Sequence, residues 1–434
     1  NFVFCKETVT ENIVNSLSEE EFLHASLVAS GTDESKISEY EKIISDAVSE
    51  FILTKDSFLS EKDFCENALI FLYERFLKKY SLLQTRIDVI VEAGTYNCVS
   101  SSVLYMYVMK KAGIECYGNE TTEHAFCSVF LDGKKIDVEP TNPYGFEPGK
   151  KKQIDDDRYL KVPAKKYSNR KQISDKRLIA LIYNNRIADL AKKRNSIDAL
   201  PLAVAAYELQ DNSEESLNFV YKTGANIIAE YIFAGDVDNA LDFAQSFVSK
   251  YGSSKDIRQN ISGGVSRKLE LLEKEKDYDS AFAFLNKYSS YLNEKDYSDY
   301  ERMLNYNSLN YSIKNDSFET ASEKIKAKKD FLSEKDFTSL YVSCATKELN
   351  RISVEEDYYE AYLFAWKVSS EFPKMQGITK LYEISKENYA IQVHNSCVDL
   401  MNSGNNEEAK KLIINAILEI GSVKILENDL KYLK

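Results

Sequence analysis

The stretch GTYNCVSSSVLYMYVMKKAGIECYGNETTEHAFCSVFLDGKKIDVEPT, residues 94–141, combines Cys98, His124 and the carboxylates of Asp137 and Glu139 with a change from helical to strand periodicity. Gly94 interrupts the helical pattern that precedes it, and residues 99–112 place their large apolar side chains along one helix face. Cys98 is therefore predicted to lie at or just before a helix start. The positive end of the helix dipole favours a thiolate at such a position.

After Gly113 the apolar residues alternate, which indicates strands. HAFCSVFL (124–131) and KKIDVE (134–139) are separated by Asp132 and Gly133, a two-residue hairpin signal. With these two residues in the turn, Leu131 faces Lys134 and Ser128 faces Asp137. The stretch is therefore predicted to form a helix followed by antiparallel strands.

The same register predicts which carboxylate meets the histidine. His124 faces Thr141 across the hairpin, so Glu139 is a diagonal neighbour of His124, about 7 Å away between backbones. Asp137 lies farther along the strand, at roughly 13 Å. Glu139 is predicted to orient the imidazole, and Asp137 is the reserve candidate.

These residues resemble the transglutaminase-like branch of the papain-like cysteine enzymes. YNCVSSSVLYMYVMKKAGI is similar to the nucleophile helix of that family, EHAFCSVFLDGKK to its histidine strand, and VEPT to its third motif, over about 50 residues. Glu139 takes the place of the family's aspartate, and Phe126 that of its usual tryptophan. The resemblance implies an α+β fold with a small antiparallel sheet and a Cys98–His124–Glu139 triad.

By that resemblance Cys98 would attack a carbonyl or amide carbon, His124 would move the proton, and Glu139 would fix the ring. A covalent thioester would then be resolved by water or an amine. The backbone N–H of Cys98 would be one oxyanion donor. Three residues are candidates for the second donor: Gln84, Tyr96 and Asn97.

The C-terminal half repeats a helix-turn-helix pattern. An alanine follows a polar turn at intervals of 40 to 48 residues. This spacing resembles tetratricopeptide repeats loosened from their period of about 34 residues, and it predicts an α-solenoid that binds a protein partner. An irregular helical domain is the alternative. The alanines are Ala199, Ala240, Ala281, Ala321, Ala361 and Ala409.

The composition excludes several functional classes. Of 434 residues only 15 are Gly and 6 are Pro, which is typical of mostly helical proteins. The chain has 56 Lys+Arg against 69 Asp+Glu, a net charge of -13, and this negative charge disfavours nucleic acid as a partner. Seven cysteines without a CxxC pair and three histidines without an HxxxH pattern predict neither a disulfide framework nor a metal or other cofactor. No apolar run reaches the length of about 20 residues that spans a membrane.

The predicted organisation has four parts: an N-terminal helical part over 1–92, a catalytic core over 93–148, a loop and linker over 149–175, and the solenoid over 176–434. The first part includes helices over 18–30, 40–53 and 61–83. The chain begins at Asn1, so an exported protein that has lost its signal is one expectation and a cytoplasmic protein the other.

The leading functional prediction is a cysteine hydrolase or acyltransferase that acts on peptide or amide bonds, with the repeats holding a protein partner or substrate. The combination of such a core with helical repeats is similar to a group of bacterial proteins. The rival prediction is a catalytically idle domain in an interaction scaffold. Carbohydrate or cell-wall peptide processing is a third class, for which the sequence offers no specific residue.

Overall fold

The computed structural model describes residues 16–149, 158–162, 167 and 169–433. The chain is mostly helical with a small antiparallel sheet, and it divides into two compact units, residues 1–261 and 262–434. The described helices of the first unit are α1 (Glu19–Ser30), α2 (Glu34–Ile52), α3 (Glu61–Arg75), α4 (Ile87–Ala93), α5 (Cys98–Lys111), α6 (Asp175–Lys192), α7 (Ser196–Leu209), α8 (Glu214–Phe233) and α9 (Val237–Tyr251), with a 3₁₀ turn at Lys55–Ser57.

The strands of the described residues belong to the first unit. They are β1 (Lys79–Tyr80), β2 (Thr95–Tyr96), β3 (Cys116–Glu120), β4 (Ala125–Leu131), β5 (Lys134–Val138) and β6 (Lys171–Ile173). β1 and β2 form a short parallel pair, and the other four form a sheet in the order β5-β4-β3-β6.

The β4–β5 hairpin has the predicted register, with Leu131 opposite Lys134 and Ser128 opposite Asp137. Its turn residues Asp132 and Gly133 have φ of 50° and 72°. Two positive φ values in sequence are what a type I′ turn requires, and this turn matches the twist of paired strands. The hairpin prediction is therefore confirmed.

Helix α5 forms the centre of the first unit. Every residue from Cys98 to Met109 is buried, and the helix packs against β3 and β4 on one side and against α1, α2, α3 and α6 on the others. A helix that is covered all round is held along its whole length. The position of its first residue, Cys98, is therefore fixed by the packing of the whole domain.

Helix α6 begins where predicted, because the Ser174 side chain accepts the N–H of Arg177 as an N-cap. However, α6 packs into the same core as α5. Asp175 forms an ion pair with Lys110 of α5 at 2.7 Å, and the Arg186 guanidinium donates to a backbone carbonyl of α1. The boundary between the compact units, after residue 261, therefore lies beyond the predicted start of the solenoid at 176.

The remaining helices continue as antiparallel pairs. Helix α10 (Lys255–Glu275) contains the unit boundary, and the second unit continues with α11 (Tyr278–Lys287), α12 (Glu294–Asn315), α13 (Phe318–Ala327), α14 (Glu334–Val354), α15 (Tyr358–Glu371), α16 (Gln376–Asn402), α17 (Asn406–Ile420) and α18 (Lys424–Tyr432), with 3₁₀ turns at Ser289–Tyr291 and Lys329–Phe331.

The helix pairs confirm the predicted repeat pattern. Each of the six alanines lies in the first turn of the second helix of a pair and is at most 3% exposed. The small side chain lets the two helices approach closely. Five of the six turns contain a residue with positive φ two positions before the second helix: Arg194, Gly235, Lys276, Glu356 and Gly404.

The structure also corrects the predicted element bounds. The helix predicted over 61–83 ends at Arg75, because residues 79–80 pair with β2 instead. The helix predicted over 40–53 begins at Glu34, where the Asp33 side chain caps it. The linker predicted over 149–175 includes β6, which pairs with β3, and its residues 150–157, 163–166 and 168 lie outside the described part. No helix in the described ranges has the length and apolarity to cross a membrane.

Candidate active site

Cys98 is the first residue of helix α5. The Asn97 side chain caps this helix: its Oδ1 accepts the N–H groups of Val99 and Ser100, at 3.0 and 3.1 Å. The hydroxyl of Ser100 accepts the Asn97 N–H in return, at 3.0 Å. This capping box fixes the first turn and leaves the N–H of Cys98 outside the cap. The sulfur therefore sits at the positive end of a well-anchored helix.

His124 precedes strand β4 and lies between Cys98 and Glu139. Its Nε2 donates to Glu139 Oε2 at 2.6 Å, and its ring also shares a hydrogen bond with the Cys98 side chain. One imidazole therefore interacts with both the carboxylate and the sulfur-bearing side chain. Cys98 and His124 keep 8% and 7% of their surfaces accessible, whereas Glu139 is fully buried. The group is therefore almost wholly buried, and its small accessible part belongs to Cys98 and His124.

The surroundings of His124 favour the imidazolium. Burial by itself lowers the pKa of His124, but the Glu139 carboxylate and hydrogen bonds with Cys98 and Glu139 more than offset it and raise the pKa from 6.5 to about 10. The ring is thus protonated at neutral pH. A positive imidazolium and the N-terminus of a helix therefore both lie beside Cys98.

The Glu139 carboxylate accepts hydrogen bonds from two further residues. Oε1 accepts from the backbone N–H and the hydroxyl of Thr141, at 3.2 and 2.6 Å. Oε2, which already accepts from His124, also accepts from the Tyr167 hydroxyl at 2.9 Å. A buried carboxylate with all these donors is held in one rotamer.

Gly145 supports the backbone of Glu139. Its carbonyl accepts the Glu139 N–H at 2.9 Å, and a Cβ at position 145 would lie only 2.0 Å from the Glu139 carbonyl oxygen. The close approach of the two backbones therefore requires glycine at this position.

Asp137 lies apart from this group. Its Oδ1 accepts from Ser128 at 2.9 Å, its Oδ2 forms an ion pair with Arg170, and its side chain is 26% exposed. The structure thus brings Cys98, His124 and Glu139 together and gives Asp137 other partners. The choice between the two carboxylates agrees with the hairpin register.

Two of the three candidates for a second oxyanion donor are engaged elsewhere. Asn97 caps the helix and donates from Nδ2 to the Leu82 carbonyl at 3.3 Å. Tyr96 donates to the Arg158 carbonyl at 2.8 Å. Gln84 is held near the start of α5 because its carbonyl accepts from Ser100 at 3.4 Å, and its Oε1 accepts from Arg86. Gln84 therefore remains the best placed of the three.

Sequence reasoning missed Thr141 as a hydrogen-bond donor to the Glu139 carboxylate and missed Tyr167 entirely. The threonine had a visible signal, since it stands two residues after Glu139 in the VEPT motif. Tyr167 has none, because it follows a lysine-rich segment and reaches Glu139 only through the fold. Within the described ranges, no group of three potential metal-binding side chains is present.

Comparisons with known proteins give no family for this chain. No protein-family model matches it, and no characterised protein sequence matches it. Among solved structures, a chain described as "Circular tandem repeat protein with novel repeat topology and enhanced subunit contact surfaces" covers 96% of this chain and 94% of its own length, with 10% identity and a TM-score of 0.16.

Proposed function

We propose that the chain is a transglutaminase-like cysteine hydrolase or acyltransferase that acts on peptide or amide bonds. The observation that carries the proposal is the contact of one imidazole with both Glu139, at 2.6 Å, and Cys98 at a helix N-terminus. The geometry supplies the parts of covalent catalysis: a sulfur nucleophile, a proton carrier and an orienting carboxylate.

In the proposed reaction the Cys98 sulfur bonds to the carbonyl carbon of the substrate, and the carbonyl π electrons move to its oxygen. The Cys98 N–H, with Gln84 as the second candidate donor, stabilises that oxyanion. When the tetrahedral intermediate collapses, the bond from carbon to the leaving amine breaks, and protonated His124 gives the amine its proton. Water or an acceptor amine then attacks the thioester and passes a proton back to His124. The Cys98 thiolate leaves.

The helical repeats supply the second part of the proposal. Stacked helix pairs bury small residues where the helices meet, and their outward faces form an extended surface of side chains. We therefore propose that the repeats hold the protein substrate or a protein partner.

The test is alkylation of the full chain by iodoacetamide near pH 6, followed by mass spectrometry of each cysteine peptide. Cys98 should react at least about tenfold faster than Cys344, because burial raises the pKa of the Cys344 thiol to about 11. An activated ester should also acylate Cys98, and Cys98→Ala should abolish that adduct while the circular dichroism spectrum stays unchanged. A Cys98 that reacts no faster than Cys344 would favour the idle scaffold.

A further inference from the structure

Tyr167 contacts the same oxygen of Glu139 as His124 does. Its hydroxyl donates to Oε2 at 2.9 Å, the same oxygen that accepts from His124 Nε2 at 2.6 Å. One oxygen therefore takes two hydrogen bonds, from the ring that carries the proton and from a phenol that lies 28 positions along the chain from Glu139.

The Tyr167 ring is fixed by aromatic contacts. It meets Phe126 edge-on with centroids 5.0 Å apart, and it meets the His124 ring at 6.4 Å in the same T-shaped geometry. Phe126 in turn stacks parallel to His124, at 6.2 Å. These contacts favour one direction of the hydroxyl, since edge-to-face packing is a preferred geometry of aromatic pairs.

The backbone that follows Tyr167 is tied to the same sheet. Arg170 forms an ion pair with Asp137 and lies 5.8 Å above the Phe126 ring, and residues 171–173 pair with β3. The segment is thus anchored on the sheet that carries His124. Asp137 is therefore engaged with Arg170, which lies three positions after Tyr167 in the chain.

We propose that Tyr167 is a positioning residue of the candidate active site, which fixes the Glu139 carboxylate and through it the His124 ring. Without this hydroxyl, Oε2 keeps only the His124 donor, and the Thr141 hydrogen bonds to Oε1 alone oppose rotation of the carboxylate about its terminal bond. A carboxylate that keeps its position also keeps its hydrogen bond to the imidazolium. This inference rests on the proposed function.

The test compares the rate of Cys98 alkylation by iodoacetamide between about pH 4 and pH 9 in the full chain. Tyr167→Phe should lower the rate near pH 6 roughly tenfold and move the acid limb of the profile to higher pH. Tyr159→Phe is the matched control: Tyr159 packs on Tyr73 with ring centroids 5.1 Å apart, and among the described contacts it donates to none of the triad residues. Its profile should match the wild type.

A double-mutant cycle separates positioning from general stability. Glu139→Asp keeps the charge but withdraws the carboxylate by one methylene, so Tyr167→Phe should have no further effect in that background. Additive effects of the two changes would overturn the proposal, and so would a Tyr167→Phe profile identical to the wild type, or loss of the fold in Tyr167→Phe alone. If wild-type Cys98 is no more reactive than Cys344, the proposed function itself fails, whatever Tyr167 does.

Discussion

Replacing Glu139 by Gln removes the charge that faces His124 with little change of shape. The carboxylate is fully buried and the His124 side chain is 5% exposed, so water cannot take the place of the lost charge. In addition, the donors from Thr141, Tyr167 and His124 together occupy both carboxylate oxygens. The NH₂ group of Gln would therefore face another donor whichever way it is turned.

The size of the effect follows from the His124 pKa. A pKa raised from 6.5 to about 10 corresponds to about 5 kcal/mol in favour of the imidazolium in the folded protein. Loss of one partner from a buried pair generally costs about 3–5 kcal/mol. We therefore expect Glu139→Gln to reduce the free energy of unfolding of the first unit by about 3–5 kcal/mol near pH 6.

The pH dependence has a definite sign. Because the folded pKa is raised, the stabilisation by charged His124 is present in full below pH 6.5 and is lost as the pH rises through about 10. The difference between wild type and Glu139→Gln should therefore shrink between about pH 6 and pH 10.

The assay is urea unfolding, monitored by hydrogen exchange of peptides from α5 and β4. The single tryptophan, Trp366, lies in the second unit, so its fluorescence serves as an internal control that should not change. A loss of unfolding free energy below about 1 kcal/mol near pH 6, or an equal loss near pH 6 and near pH 10, would show that Glu139 does not hold a charged His124.

Three further predictions concern the surroundings of the site and the repeats. Gly145→Ala should destabilise the first unit by at least about 2 kcal/mol in urea unfolding and slow Cys98 alkylation, because the new Cβ meets the Glu139 carbonyl oxygen; unchanged kinetics would contradict the close approach. Asp137→Asn should lower Cys98 alkylation far less than Glu139→Gln does, since Asp137 pairs with Arg170; an equal loss would make Asp137 the orienting acid. Ala281→Leu should destabilise the second unit by about 1–3 kcal/mol, seen in the Trp366 fluorescence transition, because a fully buried alanine leaves no room for a larger side chain; a neutral effect would contradict tight helix pairing.

The sequence predicted those parts of the fold that depend on local patterns. The two-residue turn at Asp132 and Gly133 determined the hairpin register, and that register placed Glu139 rather than Asp137 beside His124. The repeated alanines marked the helix pairs for a similar reason: a polar cap followed by a small residue is a local signal of close helix packing.

The remaining features depend on contacts between distant parts of the chain. The helix predicted to continue to residue 83 stops at Arg75, because strand pairing with β2 replaces helical hydrogen bonds. Helix α6 belongs to the core of the first unit because its buried face packs there and Asp175 forms an ion pair with Lys110 of α5. Tyr167 reaches Glu139 across 28 positions. None of these contacts leaves a periodic trace in the sequence.

A buried ion pair alone is weak evidence for any role in stability, because the desolvation of two charges offsets most of their attraction. The His124–Glu139 pair has features that a purely structural pair does not need. Its ring also interacts with the Cys98 side chain, Cys98 is the first residue of a helix, and Glu139 is fully buried while Cys98 and His124 keep 8% and 7% of their surfaces accessible. Our proposal therefore gives the pair a catalytic role: the fold maintains a protonated imidazole where it can stabilise a thiolate and then donate its proton to a leaving group.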